Sequence, residues 1–143
     1  MQVSEIMNKN VISVTPDETV ALASRLLSRH NIGSLPVCRN DGAIRGIITD
    51  RDIVLRCIAN DSDPHETSVR DVMSRSVITV SPFDSTEKVS EIMGQSQIRR
   101  LPVVSDDGIL VGMVSMADLA RRDTCRMEAA DALCEVSSNL RRR

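Results

Sequence analysis

Hydrophobic residues in the first third of the chain switch between two spacings, and each spacing predicts a type of element. A β-branched run at 11–14 predicts a short strand, and apolar residues three and four positions apart predict a helix over 20–30. Two more apolar runs, 35–38 and 44–49, predict a β-hairpin because an Asp-Gly pair lies between them. A second helix is predicted to begin at residue 50. The predicted order is therefore strand, helix, strand, strand, helix.

The whole succession occurs a second time, 66 residues further along the chain. Residues 6–53 align with residues 72–119 over 48 positions without a gap, and 14 of these positions carry the same residue type. The identical pairs are Met7/Met73, Val11/Val77, Ile12/Ile78, Val14/Val80, Pro16/Pro82, Ser24/Ser90, Ile32/Ile98, Leu35/Leu101, Pro36/Pro102, Val37/Val103, Asp41/Asp107, Gly42/Gly108, Gly46/Gly112 and Asp52/Asp118. Most are apolar, Gly or Pro positions, where packing or backbone geometry is demanding. We infer an internal duplication.

A single unit of this size is too small to bury an adequate core by itself. We therefore expect an α+β fold in which two βαββα repeats pack sheet to sheet with pseudo-twofold symmetry. The expected boundaries are 1–60 for the first repeat, 61–121 for the second and 122–143 for a C-terminal helical extension. Such packing leaves two symmetry-related clefts between the repeats, and these are the expected ligand sites.

Composition and charge narrow the classes of partner. One Phe is the only aromatic residue, whereas binding of single-stranded nucleic acid by base stacking needs aromatic side chains. The net charge of -2 gives no general attraction to nucleic acid or to an anionic membrane. No apolar run approaches the roughly 20 residues that span a bilayer, and residues 1–5 show no secretory pattern. We expect a cytoplasmic protein with no nucleic-acid or membrane partner.

The residues that commonly carry catalysis or metal binding are scattered. Neither the histidines nor the cysteines have metal-ligand spacing, and a metal or redox role would need the cysteines to converge in space. These residues are His30, His65, Cys38, Cys57, Cys125 and Cys134. The sequence also lacks a Gly-rich phosphate loop, a nucleophile elbow and a paired catalytic acid and base. We expect no enzymatic activity, no required cofactor and no bound metal.

Several marks occur in the same order in both copies: a Leu-Pro-Val strand, an Asp-Gly turn and the pattern G-x-x-[ST]-x-x-D at 46–52 and 112–118. Together with the duplicated βαββα unit, they resemble the CBS domain, named after cystathionine beta-synthase, whose tandem pairs are called Bateman modules. The resemblance covers about residues 1–121. It implies a regulatory or sensor module that binds an adenine nucleotide (AMP, ADP or ATP) between the repeats, with S-adenosylmethionine or NAD as other possible ligands.

Thr49 and Asp52 lie three positions apart where a strand is predicted to pass into a helix. This spacing is typical of a capping box, in which the two side chains satisfy free N–H groups at the helix start. Ser115 and Asp118 repeat the pattern. The family resemblance implies a further use, with the Asp holding the ribose and the Thr or Ser near the phosphate. The two interpretations are compatible.

The resemblance also implies apolar walls around the adenine, although core packing alone would explain the same residues. The matching positions are Ile47, Val77 and Ile78 for the cleft of Asp52, and Met113, Val11 and Ile12 for the cleft of Asp118.

The two expected clefts differ in positive charge. In the family, residues just before the Leu-Pro-Val strand of one repeat reach the phosphates of the ligand held by the other. Asp52 would then share its cleft with Arg51, Arg99 and Arg100, whereas Ala117, Gly33 and Ser34 occupy the matching positions for Asp118. Guanidinium groups bind phosphates strongly, so we predict that the Asp52 cleft is the main nucleotide site. The alternative is that these arginines are solvated surface charges.

The segment after the second repeat predicts an amphipathic helix, packed on the module or on a second copy of it. Its apolar residues at helical spacing are Met127, Ala130, Leu133, Cys134 and Leu140. The family resemblance implies a homodimer, and an unknown effector protein is the expected target of regulation. Two other hypotheses stay open: a partner-binding adaptor with empty clefts, and a thiol- or metal-based redox sensor.

Overall fold

The computed structural model describes residues 1–121 and 126–141, and within the last helix it describes the side chains of residues 130–137. Two compact units are present, and their boundaries differ from those of the sequence repeats. Residues 12–77 form one unit, which we call the continuous unit. Residues 1–11 and the described residues from 78 onward form the other, which we call the split unit. The first six residues of each repeat, with the residues just before them, thus fold with the hairpin of the other repeat.

The first long helix of each unit has the predicted bounds: α1 spans Val20–His30 and α4 spans Thr86–Ser96. Both begin with a hydroxyl cap. Thr19 Oγ1 accepts the N–H of the third helical residue at 3.1 Å, and Ser85 Oγ does the same at 3.1 Å. The residues that follow the two helices adopt the left-handed conformation: Asn31 and Gln97.

Each unit also contains one antiparallel hairpin, as the apolar runs predicted. The strands are β1 (Ser34–Cys38) with β2 (Ile44–Thr49) in the continuous unit, and β3 (Arg100–Val104) with β4 (Leu110–Ser115) in the split unit. The turn of the first hairpin contains Gly42 with φ of 90°, a conformation that L side chains rarely adopt. This requirement explains the repeated Asp-Gly pair.

The strands predicted at 11–14 and 77–80 are wrong, because each is reduced to a single parallel bridge, Val14 to Val37 and Val80 to Val103. Val14 donates its N–H to the carbonyl of Pro36 at 3.1 Å and accepts the N–H of Cys38 at 2.8 Å. Extending this parallel ladder in either direction would need an N–H from Pro36 or Pro16, and proline has none. The second copy has prolines at the same two places.

Short helices complete the units. As predicted, a helix follows each hairpin directly: α2 spans Asp50–Ile53 and continues as a π-helical turn over Val54–Ile58, and α5 spans Met116–Ala120. The helical turn α3 spans Val69–Val72, and the C-terminal helix α6 spans Arg126–Arg141. No helix in the described part of the chain is long and apolar enough to cross a membrane.

The cores explain why the chain divides as it does. Val69 and Val72 from α3 are buried in the core of the continuous unit, beside fully buried Leu35 and Ile48. The residues 66 positions before α3, Val3 and Ile6, fill the same role in the split unit. Each core therefore receives apolar residues from the start of the other repeat and from the few residues before it.

Helix α6 packs against α4 and α5, but with a different face from the predicted one. Ala132 and Val136 are buried, whereas Ala130, Leu133 and Cys134 are exposed. The reason is the close approach of two helices. A Cβ on Gly94 of α4 would lie 3.5 Å from the Cβ of Glu135, so the small side chains face α4. The side chains of Met127 and Leu140, and the whole of Cys125, lie outside the described residues.

Candidate functional site

A third chain segment joins each hairpin next to the predicted capping box. In the continuous unit, Ser74 pairs with Ile47 through two backbone hydrogen bonds of 2.9 and 2.8 Å. This approach depends on Gly46, because a Cβ there would lie only 2.6 Å from the carbonyl oxygen of Ser74. Asn8 pairs with Met113 in the same way in the split unit, at 2.8 and 2.9 Å.

The capping box of the continuous unit is present as predicted. Asp52 donates its N–H to Thr49 Oγ1 at 3.0 Å, and Thr49 donates its N–H to Asp52 Oδ2 at 3.0 Å. The hydroxyl of Ser74 lies 3.3 and 3.4 Å from the two carboxylate oxygens of Asp52. Asp52 is 9% exposed, so an acid lies almost buried at the junction of β2 and α2.

An arginine supports this carboxylate. Arg56 Nε lies 4.0 Å from Asp52 Oδ1, and Arg56 Nη1 donates to the carbonyls of Val72 and Met73 at 3.2 and 3.1 Å. Arg56 therefore connects α2 to the segment that carries Ser74. Sequence reasoning missed both Ser74 and Arg56.

The split unit repeats the box with different supporting residues. Ser115 donates its N–H to Asp118 Oδ2 at 2.8 Å, and Asp118 donates its N–H to Ser115 Oγ at 3.1 Å. The remaining oxygen, Asp118 Oδ1, accepts from Arg121 Nη1 at 3.0 Å. The Arg121 side chain is 75% exposed, which makes this a solvent-screened ion pair. Asn8 stands where the continuous unit has Ser74.

Two matches to the family model called CBS domain cover residues 3–58 and 69–124. The chain belongs to the CBS-domain family. The two matched segments form a tandem pair, and the CBS domain-containing protein YhcV of Bacillus subtilis is 40% identical over 135 residues, which is 94% of each chain.

Solved CBS structures have the same fold. Hypoxic response protein I with two coordinated zinc ions is 34% identical, with 85% of this chain and 98% of that chain covered and a TM-score of 0.78. The CBS domain pair of MJ0100, in complex with 5'-methylthioadenosine and S-adenosyl-L-methionine, is 30% identical over 85% and 94%, with a TM-score of 0.73. CBSX2 in complex with AMP is 26% identical over 84% and 93%, with a TM-score of 0.74.

The remaining predicted site residues are distributed between the two units of the CBS pair. All the residues predicted to contact the adenine are at least partly exposed, so none is confined to a core. In the continuous unit these are Ile12, Ile47 and Val77, and in the split unit they are Val11, Ile78 and Met113. The chain passes from one unit to the other between residues 11 and 12 and again between 77 and 78, at the same point of each CBS repeat.

The predicted arginines also divide between the units. Arg51 is exposed on α2, between the two capping-box residues Thr49 and Asp52. Arg99 and Arg100 are exposed in the split unit, where Arg100 lies opposite Ser115 in the hairpin register. Their predicted role beside the ligand of Asp52 stays a prediction.

Three cysteines lie in the described part of the chain, and all are free thiols. Cys38 and Cys57 are buried, and Cys134 is exposed. Burial raises the pKa of the Cys38 thiol above its ordinary value, although a hydrogen bond with Ser13 partly opposes this. The Cys38 thiol therefore stays protonated at neutral pH. Over residues 1–121 and 126–141, no group of three or more His, Cys, Asp or Glu is placed to hold a metal ion.

Proposed function

We propose that this CBS-domain pair is a non-catalytic regulatory module that binds an adenine nucleotide, AMP, ADP or ATP, through the carboxylate of Asp52. The observation that carries the proposal is the hydrogen bonding of this nearly buried acid. Asp52 makes one short hydrogen bond, in which Oδ2 accepts the backbone N–H of Thr49 at 3.0 Å. A carboxylate has about four acceptor positions, so several remain for the two hydroxyl groups of a ribose.

The other contacts of Asp52 are easily exchanged. The Ser74 hydroxyl lies at 3.3 and 3.4 Å from the carboxylate oxygens, beyond the usual 2.5 to 3.0 Å of a hydroxyl-to-oxygen bond. If a ribose hydroxyl displaces Ser74, the carboxylate exchanges a long, weak hydrogen bond for a shorter and stronger one. Thr49 Oγ1 and the exposed Arg51 lie on the same junction, where a phosphate of the ligand would find a hydroxyl and a guanidinium.

Asp118 is the second proposed site, and the position that matches Arg51 is Ala117 there. Its contact with the exposed Arg121 is of the kind worth about 0 to 1 kcal/mol, so a ligand hydroxyl can replace it. Met116 and Ala117 stand where the first repeat has Asp50 and Arg51. We propose that this site is weaker for AMP or prefers a less charged adenosine compound. The adenosine ligands of MJ0100 and CBSX2 support an adenosine-containing ligand here.

Regulation needs a ligand that binds two arrangements of the protein with different affinity. We propose that the arrangement concerned is that of a homodimer or of a complex with an effector protein. The family resemblance, rather than the geometry of either unit, is the reason to expect the ligand between the two repeats.

Isothermal titration calorimetry with AMP, ADP, ATP, S-adenosylmethionine and NAD tests the proposal. In Asp52→Asn the side chain keeps its shape but loses its charge and two acceptor positions, and we expect AMP affinity to fall at least about tenfold. Asp61→Asn is the matched control, because Asp61 is an exposed acid of the same unit and its left-handed φ of 58° suits Asn. Asp118→Asn shows which site each compound prefers.

Two results would replace the proposal. If the wild type binds none of these compounds, the adaptor without a bound nucleotide becomes the better hypothesis. If Asp52→Asn binds AMP as tightly as the wild type, the assignment of Asp52 is wrong. Zinc that co-purifies with the wild type and is lost from cysteine variants would favour a metal-based sensor instead.

A further inference from the structure

A groove of about 670 Å³ lies in the continuous unit at the turn of the β1–β2 hairpin. Residues from three places along the chain line it: the residues just after Val14, the hairpin turn, and α3 with the segment that follows it. Its lining residues are Thr15, Pro16, Asp17, Arg39, Asn40, Asp41, Arg45, Arg70, Met73 and Arg75. Neither the capping box nor any of the predicted adenine-contacting residues belongs to this lining.

Four arginines and two aspartates give this groove a net charge of +2. Arg39 is paired with Asp41, and Arg70 is paired with Asp17. Arg45 and Arg75 have no ion-pair partner among the residues that the structure describes, and both are exposed. The groove therefore holds two unpaired guanidinium groups in addition to two paired ones.

A second groove adjoins the first and extends the positive region. It has a volume of about 580 Å³ and shares Arg70, Met73 and Arg75 with the first. Its further lining residues include Arg56 and Ser74, which both contact Asp52. Five arginines thus line one connected surface of a unit that contains only 66 residues.

The split unit lacks this feature at the matching positions. Where the continuous unit has Arg39, Arg45, Arg70 and Arg75, the second copy has Ser105, Val111, Ser4 and Lys9. The ten positions of the groove hold two aspartates and one lysine in the split unit, a net charge of -1. The hairpin and the bridges are shared, so the fold does not require the arginines.

We propose that the groove is a binding site for a small polyanion that carries two or more phosphate groups. Arginine presents five N–H donors in a planar fork, so Arg39 and Arg70 can contact a phosphate and keep their aspartates. The size of the groove is typical of small-molecule sites. A nucleic acid is disfavoured, because the chain has a net charge of -2 and Phe83, its one aromatic residue, does not line the groove.

The first groove, which is the proposed site, contains none of Asp52, Ser74 and Arg56, whereas the second groove contains Ser74 and Arg56 and leads toward Asp52. Cys38 lies opposite Ile44 at the turn end of the hairpin, and Ser34 lies opposite Thr49 at the other end. Four steps of about 3.3 Å separate Ser34 from Cys38, so the two ends of β1 are about 13 Å apart. This separation makes the two proposals independently testable.

Isothermal titration calorimetry with sodium tripolyphosphate, pyrophosphate and orthophosphate at low ionic strength tests the groove. We expect affinity to fall in that order, because fewer phosphates contact fewer guanidinium groups. The double variant Arg45→Ala/Arg75→Ala removes the two unpaired arginines and should weaken tripolyphosphate binding at least about tenfold. Both side chains are exposed, and circular dichroism should report a folded protein.

The matched control is Arg25→Ala/Arg29→Ala, which removes two exposed arginines of α1 in the same unit and outside both grooves. This control and Asp52→Asn should bind tripolyphosphate like the wild type, and Arg45→Ala/Arg75→Ala should bind AMP like the wild type. The proposal is overturned if the groove variant keeps wild-type tripolyphosphate affinity, or if the α1 control loses as much. It is also overturned if Asp52→Asn abolishes tripolyphosphate binding.

The phosphates of such a ligand have two possible sources, free polyphosphate or the phosphate chain of a nucleotide. Comparing ATP with tripolyphosphate in Asp52→Asn protein separates them: tighter ATP binding assigns the groove to a nucleotide, and equal or weaker ATP binding assigns it to free polyphosphate. A single-stranded oligonucleotide that binds more tightly than tripolyphosphate through Arg45 and Arg75 would overturn the assignment to a small ligand.

Discussion

The continuous unit and the split unit build the same capping box around an acid, but they differ in the charge of the surface near the hairpin turn. Asp52 and Asp118 make the same reciprocal bonds with Thr49 and Ser115, at 3.0 and 3.0 Å in one unit and 2.8 and 3.1 Å in the other. The hairpin turns of the two units, in contrast, differ by three units of charge around the groove. The shared residues hold the backbone, whereas the residues that differ lie on surfaces available to ligands.

A second contrast concerns the helices. In the split unit, α6 packs on α4 and α5. In the continuous unit, Val54, Leu55 and Ile58 on the π-helical turn are each about half exposed. The two repeats therefore share a core and present different outer surfaces.

The largest expected effect tests whether the cores are equivalent. Leu35 and Leu101 are matching, fully buried residues, so Leu35→Ala and Leu101→Ala should each lower the free energy of unfolding by about 2 to 5 kcal/mol. The two losses should agree within about 1 kcal/mol, because both leucines are fully buried and each lies in a core beside an aligned valine, Val37 or Val103. Urea denaturation measures both. A loss confined to one variant would contradict the equivalence of the cores.

A smaller loss of stability should distinguish the close backbone contact at Gly46 from the one at Gly112. Gly46→Ala would bring a Cβ within 2.6 Å of the backbone oxygen of Ser74, whereas Gly112→Ala would meet the flexible thioether of Met7 at 2.7 Å. We expect Gly46→Ala to cost about 1 to 3 kcal/mol and Gly112→Ala to cost less. Gly33→Ala is the control, because its Cβ would have ordinary contacts of 3.4 Å or more. Equal losses at 46 and 112 would contradict this difference.

The smallest effect concerns an ion pair found in one unit only. The hydrogen bond from Arg39 holds the pKa of Asp41 at about 2, well below its ordinary value. The stability that Asp41 contributes relative to Asp41→Asn should be present above about pH 4 and be lost as the pH falls through about 2. Both side chains of the pair are about half exposed, so the effect should be small and should shrink in salt. Thermal unfolding from pH 2 to 7 measures it. Asp107→Asn should lack this pH dependence, because Ser105 stands where Arg39 does.

Local features of the sequence predicted much of the fold. Helical spacing gave the bounds of α1 and α4, and the Asp-Gly pairs gave both hairpins. The spacing of Thr49 and Asp52 predicted the capping box, because its hydrogen bonds join residues only three apart. Pro16 and Pro36 can be read from the sequence as well. That they limit the first strand to one bridge follows only from its parallel pairing with β1 at Val37.

Features that depend on distant contacts could not be predicted in this way. Ser74 reaches Asp52 across 22 positions, and Arg56 reaches Val72 across 16. The buried face of α6 depends on how closely α4 can approach at Gly94, which no periodicity within α6 reveals. The arginine-lined groove draws on three separate segments, and sequence reasoning missed it because only one of its arginines neighbours the predicted site motifs.

The division of the chain has a consequence for synthesis on the ribosome. The continuous unit is a single stretch of 66 residues, so all its contacts are available once residue 77 has left the exit tunnel. Residues 1–11 are made earlier, but their hairpin and helix come only after residue 78. At about 5 to 20 residues per second, Val3 waits roughly 6 to 22 s until β4 is complete at Ser115. We therefore expect the continuous unit to fold first, while Val3 and Ile6 of the nascent split unit remain available to chaperones.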